Sequence, residues 1–308
     1  MQHEGVADWS FNTAPGHWHY WRCTVCETLY LNPRPTPQSI GRAYASYYTH
    51  SGQGTHSMFQ SWRQRWKNER LSERFDRNIE PRLNLPRLFR SSIAKRAQRI
   101  ALPFGWQELA DLPPGRLMDV GCGSGATLSL ALQLGWKAEG LEMDPEAVRA
   151  AQAAGLSVGD GGYERLSQSP SSFDCVHCSH VIEHVFDPRD LLRVVFAALK
   201  PGGTLILATP NALSDVHLHF GRYWRGLEAP RHLMIFSEST LSGLLMEQGF
   251  VVDSRCDQQL ETIRESARIA NGNKRIRSQD RAQARQLRQS LDRTPHGQDF
   301  IKLVAHKP

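Results

Sequence analysis

The 308-residue sequence is short of three features that would narrow its class at once. It has no run of eighteen apolar residues, so no stretch is suited to cross a bilayer as a helix. Its opening, MQHEGVADWS, lacks the basic-then-apolar pattern of a secretory leader. Six cysteines in a chain this long are too sparse for the disulfide framework of a small secreted domain. These absences together set the expectation of a soluble, cytoplasmic protein. What is present is enough apolar residue, 40%, for one α/β domain and a smaller accessory part. The net charge of +6 is concentrated locally: residues 61–100 hold twelve Lys/Arg against four acids, and 264–293 hold nine against three. Such runs are read as solvated helix faces, or as attraction to a phosphate-bearing or membrane-surface substrate.

Residues 1–60 form a lead-in with aromatics (Trp18, Tyr20, Trp21), one C-x-x-C (Cys23, Cys26) and the Pro-rich stretch from Asn32 to Pro37. Residues 61–112 read as a basic helical segment interrupted at Pro81 and Pro86. Pro113, Pro114 and Gly115 then open the main domain, 113–308. Strands are expected at Leu117–Val120, Lys137–Met143, Leu156–Asp160, Phe173–Ser179, Thr204–Thr209, Phe250–Cys256 and Asp299–His306. Helices fall between them: one runs from Ala126 to Leu134, and others are capped by Asp144, Asp187 and Ser237. Strands alternating with helices predict a doubly wound, Rossmann-like parallel sheet. A polar helical insertion, 261–294, precedes the last strand.

The decisive run is LMDVGCGSG, Leu117 to Gly125, followed by GLEMD, Gly140 to Asp144. A buried strand runs into glycines at 121, 123 and 125, which let bare backbone approach a ligand at the mouth of a helix. An acid at the end of the following strand suits ribose hydroxyls. This predicts a nucleoside-bearing cofactor. A dinucleotide would also fit the glycines, but Asp119, inside the strand, would repel a pyrophosphate and attract an amino group.

Downstream, Ser172 to Asn211 reads SFDCVHCSHVIEHVFDPRDLLRVVFAALKPGGTLILATPN. Its Phe-Asp strand, H-V-x-E-H segment, Lys-Pro-Gly-Gly and Thr-Pro-Asn closely resemble class I S-adenosylmethionine (SAM) methyltransferases over residues 113–260 and the final strand. The resemblance implies seven strands with the last antiparallel, and SAM as cofactor. It implies that Asp119, Gly121, Cys122, Gly123, Ser124 and Gly125 hold the methionine part, with Asp119 near its ammonium. Glu142 would take the ribose hydroxyls, Met143 the adenine face and Asp160 the adenine amino group, while Ser179 and His180 would face the methyl-donor side. His180, His184 and His232 are the candidate bases. His232 lies in APRHLMIFS, which with Phe220–Pro230 is expected to cover the substrate.

No metal enters this expected site, and two places stand as lesser alternatives. Glu183, His184 and His232 resemble a divalent-ion set found in some methyltransferases, including relatives of ubiquinone-pathway O-methyltransferases, with His180 in place of the first acid. Zinc at Cys23 and Cys26 is the other. The lead-in resembles a zinc module of sugar C-methyltransferase relatives, but only one of its two cysteine pairs remains, and a structural zinc takes four ligands. His3, His17 or His19 would have to substitute. Cys175 and Cys178 point to opposite faces of a strand and are core. H-x-x-E-H is also a zinc-peptidase spacing, but here it directly follows a strand. The reading is methyl transfer to a small or carrier-linked acceptor: O-methylation of a sugar, a lipid-linked saccharide or a secondary metabolite. The alternatives are an RNA-modifying methyltransferase gripping phosphates with the Arg-rich segments, or a non-catalytic SAM-binding regulator.

Overall fold

The computed structural model describes residues 1–44, 58–86, 105–254, 262–291 and 299–308. Parts of four expected elements lie outside these residues: 45–57 of the lead-in, 87–104 of the basic segment, 255–256 of one strand, and 261 with 292–294 of the insertion. In chain order the elements are β1 (His3–Val6), β2 (Trp18–Arg22), β3 (Leu29–Leu31), a 3₁₀ turn (Ile40–Tyr44), α1 (Met58–Phe75) and α2 (Trp106–Asp111). The αβ alternation then runs β4 (Arg116–Val120), α3 (Ala126–Gln133), β5 (Lys137–Glu142), α4 (Pro145–Ala153), β6 (Val158–Asp160), β7 (Phe173–Ser179), α5 (Pro188–Ala198) and β8 (Leu199–Pro210). After it come α6 (Asp215–Phe220), β9 (Met234–Ile235), α7 (Glu238–Glu247), β10 (Val251–Ser254), α8 (Ile263–Ala270), α9 (Ser278–Leu291) and β11 (Phe300–His306).

Seven strands form a sheet in the order β10-β11-β8-β7-β4-β5-β6, and β1-β2-β3-β9 form a second, four-stranded sheet. The β7-β4-β5-β6 pairings are parallel and β10-β11 is antiparallel, which is the expected Rossmann-like topology. Local chemistry sets the helix starts as the sequence predicted. Asp144 accepts from the Glu146 amide at 2.9 Å, Asp187 from those of Arg189 and Asp190, and Ser237 from that of Thr240. The largest boundary difference is at β8, which begins directly after α5 and takes in Lys-Pro-Gly-Gly ahead of the expected start at Thr204. Lys200 is fixed there by its ammonium, 2.8 Å from both oxygens of Asp174.

The chain divides into two compact units. One is continuous apart from a single excursion: Tyr48–Cys178 with Ala197–Ile206. Its core packs Leu117, Leu128, Ala131, Trp136, Val148 and Cys175 beneath the parallel strands. The other gathers Met1–Tyr47, Ser179–Phe196 and Leu207–Pro308. Its core joins lead-in residues Val6, Tyr20, Leu29 and Leu31 to Val216, Trp224, Leu233 and Ile235. The lead-in is therefore a small sheet completed by β9, with Leu29 opposite Ile235 and Tyr30 opposite Met234. Cys175 and Cys178 are fully buried, as expected of core residues.

Candidate active site

In the first unit the glycine loop leaves β4 with Gly121, Gly123 and Gly125 at φ of 69°, 52° and 78°, values that a side chain would strain. The acid at the end of β5 closes on this loop. Glu142 accepts from the Gly123 amide at 2.8 Å through one oxygen, and from the Met143 and Asp144 amides at 2.8 and 2.9 Å through the other. It is only 9% exposed. A carboxylate has about four acceptor positions, so one remains after these three bonds. The amides of Gly121 and Cys122 bond Leu141, and that of Gly125 bonds the Cys122 carbonyl. A ligand's carboxylate is thus offered the first-turn amides of α3 rather than an open row of loop amides. Met143 is exposed beside Glu142, Asp160 is exposed at the end of β6, and Ser124 is exposed on the loop. Burial pushes the Cys122 thiol well above its usual range, and the nearby carboxylates of Asp119 and Glu142 add to the effect.

Asp119 is buried, and its Oδ1 lies 2.7 Å from Nδ1 of His177, the residue facing it on β7. The other ring nitrogen of His177 is buried without a hydrogen-bond partner among the described residues. Sequence reasoning missed His177, although its register opposite Asp119 follows from aligning the two strands.

In the second unit Ser179 is half-buried at the end of β7, and His180 follows it at a φ of 57°. Its ring meets Phe300 edge-on, and its Nδ1 lies 3.1 Å from Oε1 of Glu183. Glu183 is fully buried, and its Oε2 accepts from the Thr209 hydroxyl at 2.9 Å. Burial opposes its ionisation, but the His180 bond and the surrounding imidazoles hold its pKa down at about 2. His184 and His232 cross with ring centroids 4.6 Å apart. His232 is buried, and its Nδ1 lies 2.7 Å from the Gly226 carbonyl. A carbonyl only accepts, so that nitrogen carries the proton and Nε2 presents its lone pair. This lone pair is 4.0 Å from Glu183 Oε1 and 3.8 Å from Glu228 Oε2. Burial, then the adjacent His184, lowers the His232 pKa to about 4, so the ring is neutral at pH 7. His184 Nδ1 lies 3.1 Å from the Arg231 carbonyl and 3.0 Å from the Tyr44 hydroxyl.

Two further members of this cluster were not singled out from the sequence, although Glu228 lies in the expected Phe220–Pro230 cover. Tyr44 comes from the lead-in, some 140 residues before its partner. Glu228 stands at φ 38°, strained for a side-chain-bearing residue. Its carboxylate accepts from Arg225 and Arg231, which leaves it a weak ligand for anything else.

One ligand atom each from Glu183, His184 and His232 fall within 4.8 Å of one another, so the residues fit a divalent ion. The proton of each Nδ1 directed at a backbone carbonyl is the support that metal-bound imidazoles ordinarily have. Among the described residues no third such ligand joins Cys23 and Cys26, which are both free and half-exposed. His3, one suggested substitute, is turned to His217 with the Nε2 atoms 2.7 Å apart.

A family profile described as a methyltransferase domain matches residues 89–255. A ubiquinone biosynthesis O-methyltransferase of Xanthomonas campestris is 36% identical over 107 residues, 32% of this chain and 45% of that protein. One from Paracidovorax citrulli is 34% identical over 119 residues, 36% of this chain and 50% of that protein. The chain thus spans about half the length of the curated relatives it matches. A solved SAM-dependent methyltransferase from Archaeoglobus fulgidus aligns with 63% of this chain and 86% of its own at a TM-score of 0.46 and 23% identity. With more than half of its length matched by the profile, the chain belongs to the methyltransferase domain family, in the class I, SAM-dependent group.

Proposed function

We propose that the chain transfers a methyl group from SAM to a hydroxyl of a small or carrier-linked acceptor: a sugar, a lipid-linked saccharide or a secondary metabolite. The observation that carries this reading is Glu142, a nearly buried carboxylate that ties the end of β5 to the glycine loop and keeps an acceptor position for ribose. Gly121 to Gly125, Met143 and Asp160 are the remaining cofactor residues in this reading, with Asp119 held in place by His177. SAM supplies an already activated methyl, so the protein's part is to position the acceptor and relieve its hydroxyl of a proton. A neutral His232 with an unprotonated Nε2 is suited to take that proton, and Glu183, 4.0 Å from that nitrogen, stabilises the imidazolium that results. His184 and His180 orient the pair. Similarity to O-methyltransferases of ubiquinone biosynthesis supports the choice of oxygen as the methylated atom.

Incubation with methyl-labelled SAM and a saccharide- and lipid-containing extract should label a small molecule. Tight SAM binding with no labelled product would point instead to a SAM-binding regulator. His232→Ala should lower turnover far more than SAM affinity, and equal losses of both would make that histidine structural.

A second reading is favoured by the convergence of Glu183, His184 and His232. They would hold a divalent ion, and their two nitrogen donors suit zinc or manganese better than magnesium. Such an ion would lower the pKa of a bound hydroxyl. Metal analysis before and after chelation, with the melting temperature followed alongside, tests it. An unchanged melt and a metal-free preparation of full activity would remove it.

A further inference from the structure

Helices α8 and α9, the polar insertion, are packed into their unit by Ile263, Ala267, Ala284 and Leu287. The apolar side of α9 is therefore already used. Its outer side carries Arg281, Arg285 and Arg288, all exposed and recurring at i, i+4 and i+7. At 100° per residue they fall within a sector of about 60°, over about 10 Å of helix. Lys274 and Arg275, exposed in the preceding turn, extend the same charge. None of these five forms an ion pair among the described residues. No exposed position of α9 holds an acid. Its one carboxylate, Asp280, is buried and receives Asn271, Asn273 and the Arg277 amide. A helix face kept only for solubility interleaves both signs, whereas a row of one sign repels itself unless a partner compensates it.

We propose that α9 docks on an anionic lipid surface through Lys274, Arg275, Arg281, Arg285 and Arg288. A straight row on a convex helix can meet a plane of headgroups all at once, and clusters of this size on a helix are drawn to acidic lipids. Its apolar side is committed to the core, so α9 adsorbs without inserting, and its binding is purely electrostatic. Single-stranded nucleic acid suits the face less well, because residues 262–291 contain no aromatic side chain on which a base could stack. The inference goes beyond methyl transfer, since docking requires neither SAM nor acceptor.

The full chain should co-sediment with vesicles of phosphatidylcholine and phosphatidylglycerol (3:1) and not with phosphatidylcholine alone. Binding should vanish in 1 M salt, where the screening length is about 3 Å. Arg281→Gln, Arg285→Gln and Arg288→Gln combined should cut partitioning about a hundredfold, at roughly fivefold per charge, with the thermal midpoint and SAM affinity unchanged. Should the triple variant melt early, Arg285→Gln alone should still lose about fivefold. Equal binding to both vesicle types, salt-insensitive binding, full binding by a well-folded variant, or displacement from vesicles by an equal phosphate concentration of single-stranded RNA would each overturn the proposal. None of these readouts depends on catalysis, so their failure is separate from failure of the methyltransferase reading.

Discussion

Glu142 shows how a single side chain serves the loop and the ligand together. Its three amide bonds fix where the glycine loop lies, so its removal should cost SAM affinity as well as stability. Glu142→Ala should weaken SAM binding by about 1–3 kcal/mol, the cost of leaving buried polar partners unmet, as read by titration calorimetry. An unchanged affinity would mean that a different acid holds the ribose. His217 is a second instructive residue. Its Nδ1 proton goes to the Ala212 carbonyl at 2.6 Å, so its Nε2 accepts from His3. Burial, then the nearby His3 and Arg22, lowers its pKa from 6.5 to about 4. Below pH 6.5 the unfolded chain binds a proton there that the folded chain refuses. The stabilising contribution is complete above that pH and lost as pH falls toward 4, by about 1.4 kcal/mol per pH unit. Urea midpoints at pH 7.5, 6 and 5 should fall accordingly, and His217→Gln should flatten the dependence. A variant as pH-sensitive as the parent would clear this residue of the effect.

At the scale of elements, the segment from Gly226 to Ile235 carries more of the second unit than its short β9 suggests. Arg231 is wholly buried against Asp8, and its guanidinium also donates to the Ala43 carbonyl at 2.7 Å. The Tyr20 hydroxyl donates toward the carbonyls of Leu227 and His232, the latter at 2.8 Å. Removing one member of a buried ion pair strands the other, at a cost of about 3–5 kcal/mol. Arg231→Met should therefore lower stability by that amount in chemical denaturation, and adding Asp8→Leu should restore part of it. Additive losses would show that the two charges do not depend on each other.

The αβ alternation was readable because each strand and helix there is specified locally. Phe173–Ser179 is a run of strand formers bounded by turn residues, and Asp144-Pro145 is a helix start on its own terms. The lead-in sheet was not readable, because β3 finds its partner some 200 residues later in a two-residue strand that no periodicity could reveal. The candidate site divides in the same way. Glycine loop and Glu142 follow from one βαβ pattern, whereas Tyr44 reaches His184 only through tertiary packing, and Glu228 meets His232 within one irregular segment that no periodicity specifies.

For the whole molecule, the lead-in is structural as well as any help it gives the acceptor site. Deleting residues 1–31 would strip β1, β2 and β3 from β9 and open the core around Trp224 and Leu233. The truncated chain should lose protease resistance first within residues 207–254 and melt in two steps, while still binding SAM through the other unit. A single sharp melt at the original temperature would show that the lead-in is dispensable.

The pairing of Leu29 with Ile235 also sets a timetable for biosynthesis. When the ribosome has released β2 and β3, the strand that covers their edge is still unmade. At about 5–20 residues per second the wait lasts roughly 10–40 s. Throughout that interval the greasy inner surface of Tyr20, Leu29 and Leu31 has no native cover, so slowed elongation or a missing nascent-chain chaperone should hurt yield through this hairpin before it touches the nucleotide-fold half.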